Sequence, residues 1–352
     1  MLLRALRHRF SQDIGIDLGT ANTLVYVRER GIVANEPSVV AVNTRTGQIV
    51  AVGDEAKKMI GKTPAHITAT RPLVHGIISD FEVTEKMLRY FIEKVHGGRR
   101  SFLTRPRVVV GIPLEITEVE RKAVEDAVLN AGAREVFLIE QPLAAALGAR
   151  LPIEESVGTL VVDIGGGTTD IAVISLGGIV TSRSLKVAGD ELNRNIVQYA
   201  RDHSNLDLGE RNAEFVKMRI GTAAPPDEPL EMPMRGRDIV TGLPKEVIVN
   251  DQYIREAIQR SVRAIVDGVR SVLEATPAEL VADIYERGMV LTGGGALLKG
   301  MDEVLSQATE VHVRIAEDPL TCVVRGTGML LDNTDLLREV LVPSAQREPS
   351  KL

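Results

Sequence analysis

The chain is poor in the residues that build redox centres and base-stacking surfaces. It has one cysteine, Cys322, so no disulfide forms within it, which fits a reducing compartment. Cys322 reads as a small buried apolar residue rather than a reactive thiol. There is no tryptophan, and aromatic residues make up 3% of the whole, which leaves little to stack against nucleic-acid bases. A formal net charge of -6 also speaks against a nucleic-acid partner. The six histidines lie far apart, without metal-ligand spacing. No apolar run approaches the roughly 20 residues that span a bilayer. The P-loop pattern and the G-x-S-x-G nucleophile elbow are both missing.

What is there is ordinary in amount and unusual in arrangement. The 352 residues are enough for two domains with full cores. Apolar content of 44% and charged content of 26% are those of a soluble globular protein. One short hairpin pattern is written twice, at residues 14–27 and 160–173. Each copy is an apolar strand ending in Asp, a turn of small residues and a second apolar strand. Asp17, Gly19 and Thr23 match Asp163, Gly165 and Thr169 in spacing. A turn of this kind brings backbone N–H groups close to an anion without side-chain obstruction. The Asp at the strand end repels phosphate, so its presence calls for a hard cation such as Mg2+ held through water. The interval between the copies is the size of a domain. Two related domains, each aiming a phosphate-binding turn at one ligand, follow from that repeat.

Strands and helices alternate along the chain, which predicts an α/β fold with parallel or mixed sheets. Strands are expected at 31–42, 48–52, 107–112, 136–139, 178–187 and 288–291. Helices are expected at 54–60, 84–95 with Thr84 as its cap, 117–131, 143–148, from 189 to 200, 212–220 and 251–274. Residues 64–76 read as an irregular connection. The Pro-rich, acidic stretch 223–233 reads as a loop.

A third glycine turn, Gly293-Gly294-Gly295, stands between a strand and a short helix, where free N–H groups accept close backbone approach. Glu140 lies where a strand ends and a helix begins. Its carboxylate either orients a water for attack on a terminal phosphoryl group or caps the helix start. Glu214 and Lys217 stand one helical turn apart, as an exposed ion pair or as donors and acceptors for a ribose or base edge. At the N-terminus Leu2, Leu3, Leu6 and Phe10 fall at helical spacing among Arg4, Arg7 and Arg9. This segment is either an amphipathic helix for an anionic membrane or a frayed start. Phe102 and Leu103 sit in a basic loop at 97–105, as a core plug, a partner contact or a membrane tip.

The three turns, Asp17-Leu18-Gly19-Thr20, Asp163-Ile164-Gly165-Gly166-Gly167-Thr168-Thr169 and Thr292-Gly293-Gly294-Gly295, occur in the order and spacing of the two phosphate motifs and the adenosine motif of the actin, sugar-kinase and heat-shock ATPase superfamily. More narrowly, residues 13–27, 107–113, 137–146, 161–176, 188–190, 241–244 and 286–298 resemble the MreB family of bacterial actin-like, rod-shape-determining proteins. The resemblance covers nearly the whole chain, apart from 223–236 and the tail after 342.

The resemblance implies an actin-like fold, with two related domains built on ribonuclease H-like sheets around a nucleotide cleft, each with a smaller subdomain. Residues 1–12 would be the amphipathic segment. Residues 13–150 and 325–352 would form domain I, with a subdomain at about 32–76. Residues 151–324 would form domain II, with a subdomain at about 191–250. Gly19, Thr20, Ala21 and Asn22 would hold phosphates from one side, and Gly165, Gly166, Gly167 and Thr168 from the other. Asp17 and Asp163 would face Mg2+. Glu140, helped by Thr168 or Thr169, would orient the hydrolytic water. Glu214, Phe215, Val216 and Lys217, with Gly293, Gly294, Gly295 and Ala296, would frame the nucleoside of ATP. Leu2, Leu3, Leu6, Phe10, Phe102 and Leu103 would touch the membrane.

The family implies ATP-dependent filaments of the chain itself, at the inner face of the cytoplasmic membrane. They would bind membrane lipids and the membrane proteins of the cell-wall elongation machinery. An actin-fold small-molecule kinase and a non-hydrolysing membrane scaffold are the alternatives. A heat-shock-type chaperone would need a substrate domain for which the chain is too short. Three positions depart from the family pattern: Gln141 replaces a second Glu, Asp170 replaces a Glu, and His75 stands where Asp is common.

Overall fold

The computed structural model describes residues 13–95, 105–333, 336, 337 and 340–342. These fall into two compact units. One holds the described residues up to Glu155, Leu176–Ile179 and those from Thr321 onward. The other holds Ser156–Ser175 and Val180–Leu320.

In the first unit, β1 (Ile14–Leu18) and β2 (Asn22–Val27) form the first hairpin, and β3 (Gly31–Pro37) extends it as an antiparallel meander. β4 (Val40–Asn43), β5 (Ile49–Val52) and β6 (Ile67–Thr70) make a small sheet covered by α1 (Asp54–Met59). A tight pair, β7 (Leu73–Val74) and β8 (Ile77–Ile78), leads into α2 (Phe81–Val95). Then come β9 (Arg107–Ile112), α3 (Glu118–Asn130), β10 (Glu135–Glu140) and α4 (Gln141–Gly148). The main sheet has the order β10-β9-β1-β2-β3, with β9 and β10 parallel to β1. Its strands are apolar on both faces, as covered parallel strands are. Ile14, Ile16, Val108 and Val110 pack against Met87, Leu88 and Phe91 of α2 and Val124, Ala127 and Val128 of α3.

The second unit repeats this plan. Its strands are β11 (Thr159–Ile164), β12 (Thr169–Ser175) and β13 (Gly178–Leu185), the last from Val180 onward. They are followed by α5 (Gly189–Ser204), β14 (Leu206–Asp207) and α6 (Glu210–Ile220). A hairpin of β15 (Glu231–Asp238) and β16 (Pro244–Asn250) joins β14 in a small sheet. α7 (Asp251–Ala275), α8 (Ala278–Arg287), β17 (Met289–Thr292), α9 (Met301–Thr309) and β18 (Val313–Ile315) complete the unit. The sheet order β13-β12-β11-β17-β18 matches that of the first unit strand for strand. Val162, Ile164 and Ile171 pack with Leu192 and Ile196 of α5 and with Ile258 and Ile265 of α7. The chain then returns to the first unit as α10 (Cys322–Asp332), where Cys322 is fully buried.

Several local expectations are corrected. Residues 64–76 are not irregular throughout: β6 pairs with β4, and Leu73–Val74 pairs with Ile77–Ile78. Thr84 does not cap α2. The helix starts three residues earlier, the Val83 N–H donates to Asp80 Oδ1 at 3.0 Å, and Thr84 is buried with its hydroxyl on the Asp80 carbonyl. The loop expected to run to 233 ends at 230, where β15 begins. The glycine turn at 293–295 continues as a four-residue 3-10 turn, Gly294–Leu297, rather than an α-helix. Thr117 does cap α3, in a reciprocal box with Glu120.

The closest helix pair of the first unit is α4 with α10. A Cβ on Gly326 would overlap the Ala144 carbonyl oxygen, and one on Gly148 would overlap that of Cys322. Alanine ordinarily favours a helix over glycine by about 1 kcal/mol. Here the sign is expected to invert. Gly326→Ala should destabilise by about 2 kcal/mol through overpacking, read as a lower urea midpoint at unchanged slope.

Candidate functional site

The turn between β1 and β2 is held from outside itself. The Ser38 hydroxyl donates to the Gly19 carbonyl at 2.6 Å and shares a 2.8 Å bond with the Thr23 hydroxyl, while the Ser38 N–H donates to the Ala21 carbonyl. Ser38 and Thr23 are fully buried, so this small network replaces water for a turn that has no ladder bonds of its own. The Gly76 N–H donates to Thr20 Oγ1 at 2.7 Å, from the tight turn in which His75 takes a left-handed φ of 51°. The hydroxyl of Thr20 keeps its proton for another acceptor. Asn22 donates to the Asn35 side chain at the exposed edge of the turn.

Asp17 ends its run on β1 opposite Gly111 of β9. Gln141 Nε2 donates to Asp17 Oδ1 at 3.2 Å. Glu140, the preceding residue, ends β10 and makes no side-chain bond to the start of α4, so the capping role has no bond to carry it. The Glu140 carboxyl lies above the usual range because burial penalises its charge, and Arg121 of α3 opposes that rise. Adjacent residues at a strand-to-helix junction thus face different surroundings. Gln141 meets the hairpin, and Glu140 lies in the field of Arg121.

In the second unit four segments gather at the end of β11. The Gly165–Thr168 turn closes on itself through the Gly165 N–H and the Thr168 carbonyl at 2.9 Å. The first residues of α5 lie beneath it: the Gly189 N–H donates to the Gly165 carbonyl and the Asp190 N–H to the Gly166 carbonyl. Lys217 of α6 reaches the Gly189 carbonyl at 2.8 Å. Gly293, at φ 77°, fits over the turn because a Cβ there would strike the Ile164 carbonyl and stand 2.9 Å from Asp163 Oδ1.

Asp163 sits at the centre of this group. It is buried and accepts one side-chain bond, from Thr292 Oγ1 at 2.8 Å across the parallel β11–β17 pair. Desolvation pushes its carboxyl up to about 6, with the Thr292 hydroxyl opposing the rise. A buried acid with so little compensation suits a cation that arrives with its own charge. Asp170, directly opposite Asp163 in the hairpin, accepts from the Thr168 and Ser184 hydroxyls. The Thr169 hydroxyl donates to the Val187 carbonyl, and the residue is fully buried.

Of the nucleoside residues read from the sequence, Val216 belongs to the core, and Phe215 is half-exposed with Arg219 over its ring at 5.4 Å. Glu214 is half-buried, and Lys217 is tied to Gly189 as described. Ala296 is buried under the Gly293 turn, and Gly294 lies beside Leu320. Sequence reasoning missed Ser38 and Gly76 as site residues, and it quoted Thr292 in the third glycine motif without giving it a role. Thr292 had a signal, since it stands just before the glycines on the strand that pairs with β11. Ser38 and Gly76 had none, because their role depends on β3 and β7–β8 folding back to the turn.

Leu2, Leu3, Leu6, Phe10, Phe102 and Leu103 lie outside the described residues. Among the described residues no helix is long and apolar enough to cross a membrane. No group of three or more His, Cys, Asp or Glu side chains among them could hold a metal ion unaided. A groove of about 510 Å³ beside α7 and α9, lined by Arg255, Ile258, Val262 and Val304 among others, includes none of the residues predicted for the site.

The family model for MreB/Mbl protein matches residues 11–339. The chain belongs to the MreB/Mbl family. It is 51% identical over 340 residues to the cell shape-determining protein MreB of Escherichia coli K12, covering 95% of this chain and 97% of that one. It is 49% identical over 328 residues to the cell shape-determining protein Mbl of Bacillus subtilis 168, covering 93% and 98%. The chain is thus a member of a family of actin-like cell shape-determining proteins. MreB5 of Spiroplasma citri, solved bound to ADP, superposes with a TM-score of 0.87 at 39% identity, covering 92% of this chain and 97% of that one. The MamK double helical filament superposes at a TM-score of 0.75 and 22% identity over 92% of this chain and 99% of that one, and shares the fold. The expected actin-like α/β fold is therefore the observed one.

The raised acid has a measurable consequence for stability. Asp163 binds its proton more tightly folded than unfolded, so its contribution is lost as pH rises from about 4 toward about 6. In ligand-free protein Asp163→Asn removes that loss. The variant is expected to match the wild type near pH 3.5 and to exceed it at pH 7 by on the order of 2 kcal/mol, measured by urea unfolding at both pH values.

Proposed function

We propose that the chain binds ATP with Mg2+, hydrolyses it, and polymerises with copies of itself into filaments at the inner face of the cytoplasmic membrane. There the filaments organise peptidoglycan synthesis, with membrane proteins of the elongation machinery as partners, and so set rod shape. The observation that carries this reading is the gathering of Gly165–Thr168, Gly189–Asp190, Lys217 and Gly293 around a buried Asp163 that has a single hydroxyl to balance it. Backbone N–H groups in a glycine turn suit phosphate, and a lone buried carboxylate suits a hydrated divalent cation. The first unit carries the same arrangement in reduced form, at Asp17 and Gly19–Asn22. Solved MreB5 of Spiroplasma citri bound to ADP and to AMPPNP supports the nucleotide, and the MamK double helical filament supports self-assembly.

In this reading Gly165, Gly166, Gly167 and Thr168 hold phosphate oxygens through the second turn. Gly19, Thr20, Ala21 and Asn22 do so through the first. Asp17 and Asp163 would hold Mg2+ through its waters, and the ion would offset the charge of the phosphates. Glu214–Lys217 and Gly293–Ala296 frame the nucleoside, through backbone atoms at Val216 because its side chain is in the core. Glu140 orients the attacking water. Burial keeps its carboxyl closer to neutrality than an exposed acid, which favours accepting a proton at working pH. Domain I comprises residues 13–150 and 325–352, domain II residues 151–324.

Full-length protein with ATP and Mg2+ is expected to sediment as filaments visible by electron microscopy. A chain that stays monomeric and passes phosphate to a sugar would sink the reading. Glu140→Ala is expected to slow phosphate release about 100-fold while filaments still form. Phosphate release at the wild-type rate would remove Glu140 from that role. Membrane attachment rests on residues 1–12 and on Phe102 and Leu103, with neighbouring arginines adding roughly 1 kcal/mol each on an anionic leaflet. Deleting residues 1–10 together with Phe102→Ser and Leu103→Ser is expected to abolish co-sedimentation with anionic liposomes. Retained binding would place the contact elsewhere.

A further inference from the structure

Each phosphate turn carries a threonine directly after its glycines, and the two hydroxyls are set in opposite senses. In the first turn the Gly76 N–H donates to Thr20 Oγ1 at 2.7 Å. A hydroxyl has one proton. With its oxygen already accepting, Thr20 offers that proton as a donor. In the second turn the bond runs the other way. Thr168 Oγ1 donates its proton to Asp170 Oδ2 at 2.9 Å, in a bond that is itself buried. Ser184 of β13, the strand beside β12, donates to the other oxygen, Asp170 Oδ1, at 2.6 Å. An ionised carboxylate has no proton to return. Thr168 therefore keeps only lone pairs, with which it accepts and does not donate.

The surroundings of Asp170 hold this arrangement in place. The residue is wholly buried and lies on β12 directly opposite Asp163. A hydroxyl donor on each of its oxygens fixes the plane of the carboxylate. The neighbouring Thr169 cannot stand in for Thr168, because its hydroxyl donates to the Val187 carbonyl and the residue is fully buried. The glycines of the same turn bring backbone N–H groups, which suit phosphate oxygens. A phosphate oxygen only accepts, so against Thr168 Oγ1 it would meet a second acceptor. A water molecule donates, and is the group that fits there.

We propose that Asp170 is a positioning residue that sets the polarity of the second turn. By taking the Thr168 proton it makes that hydroxyl an acceptor for a water molecule, whereas Thr20 in the first turn is a donor to a phosphate oxygen. This inference rests on the nucleotide reading above. Under it the two threonines contribute unequally to nucleotide affinity, and Asp170 is the cause.

Isothermal titration calorimetry with AMPPNP and Mg2+ tests it on the full-length protein, held below the concentration at which filaments form and without reference to turnover. Valine keeps the shape of threonine without the hydroxyl. Thr20→Val is expected to weaken AMPPNP binding about tenfold, through loss of one hydrogen bond to a charged group. Thr168→Val is expected to leave the affinity unchanged, because no donor to phosphate is lost. Asp170→Ala releases the Thr168 proton for the phosphate, and is expected to tighten binding about tenfold. A merely structural role for Asp170 would loosen it. In the double variant of Asp170→Ala with Thr168→Val that gain is expected to disappear, whereas a gain due to the lost negative charge would persist. The Thr168→Val arm leaves Asp170 in place, so it decides the polarity even where thermal unfolding shows that Asp170→Ala does not fold. A loss in Thr168→Val equal to that in Thr20→Val, no loss in Thr20→Val, a folded Asp170→Ala variant that binds no tighter than the wild type, or a gain that persists in the double variant would overturn the proposal and leave the nucleotide reading standing. A wild type that binds no AMPPNP would overturn both.

Discussion

A carboxylate at the end of a fully buried strand is an unstable thing to build, and this fold builds one at Asp163, with a half-buried counterpart at Asp17. β11 is buried along its whole length, and Asp163 carries its charge into that environment with one hydroxyl beside it. Much of the surrounding architecture exists to bring groups to that point. The parallel partner β17 supplies Thr292, the glycine after it lets the backbone pass over the turn, and α5 and α6 brace the turn from below through Gly189 and Lys217. None of these contacts removes the cost of the buried charge. They hold the acid in place, as the proposed binding of a hydrated divalent cation requires.

The two units show how one plan can diverge in its details without losing its geometry. Both sheets have the same strand order, and both hairpins end on Asp in the same register. In the second unit the turn is braced by backbone from α5. In the first it is braced by side chains, Ser38 from the end of β3 and Thr20 tied to the β7–β8 turn. The first hairpin therefore depends on a small outer sheet that the second does not need. Position 141 carries the same contrast. A donor that a neighbouring strand supplies in one unit comes from the start of a helix in the other.

Much of this was legible in the sequence because it repeats. The Asp, Gly and Thr spacings marked the hairpins, and the apolar runs around them could only be strands buried on both faces. The third glycine turn was legible because it follows an apolar strand. What could not be read was structure that depends on distant partners. β6 is four residues, Ile67–Thr70, none of them buried, and it becomes a strand only by lying against β4. β15 contains Pro233, Arg235 and Arg237, which argue for a loop until Met234 and Val247 are seen to face the core side of the hairpin. Thr84 looked like a cap, but Asp80 is the better acceptor and the helix begins there. The contrast between Glu140 and Gln141 was hidden for another reason. Sequence gives both the same neighbourhood, and the turn from strand to helix sends them to different ones.

The glycine contact between α4 and α10 has a consequence for how the protein is made. The second unit is nearly continuous in sequence, from Ser156 to Leu320. The first is not. Its sheet is packed on one face by a helix that begins at Cys322, long after β10 and α4 have left the ribosome. During synthesis the face of α4 at Ala144 and Gly148 must wait uncovered while some 170 residues are added in between. The inserted unit can close early on its own contacts, whereas the first closes late and across a long loop. Topology thus delays the covering of α4 until α10 has been made.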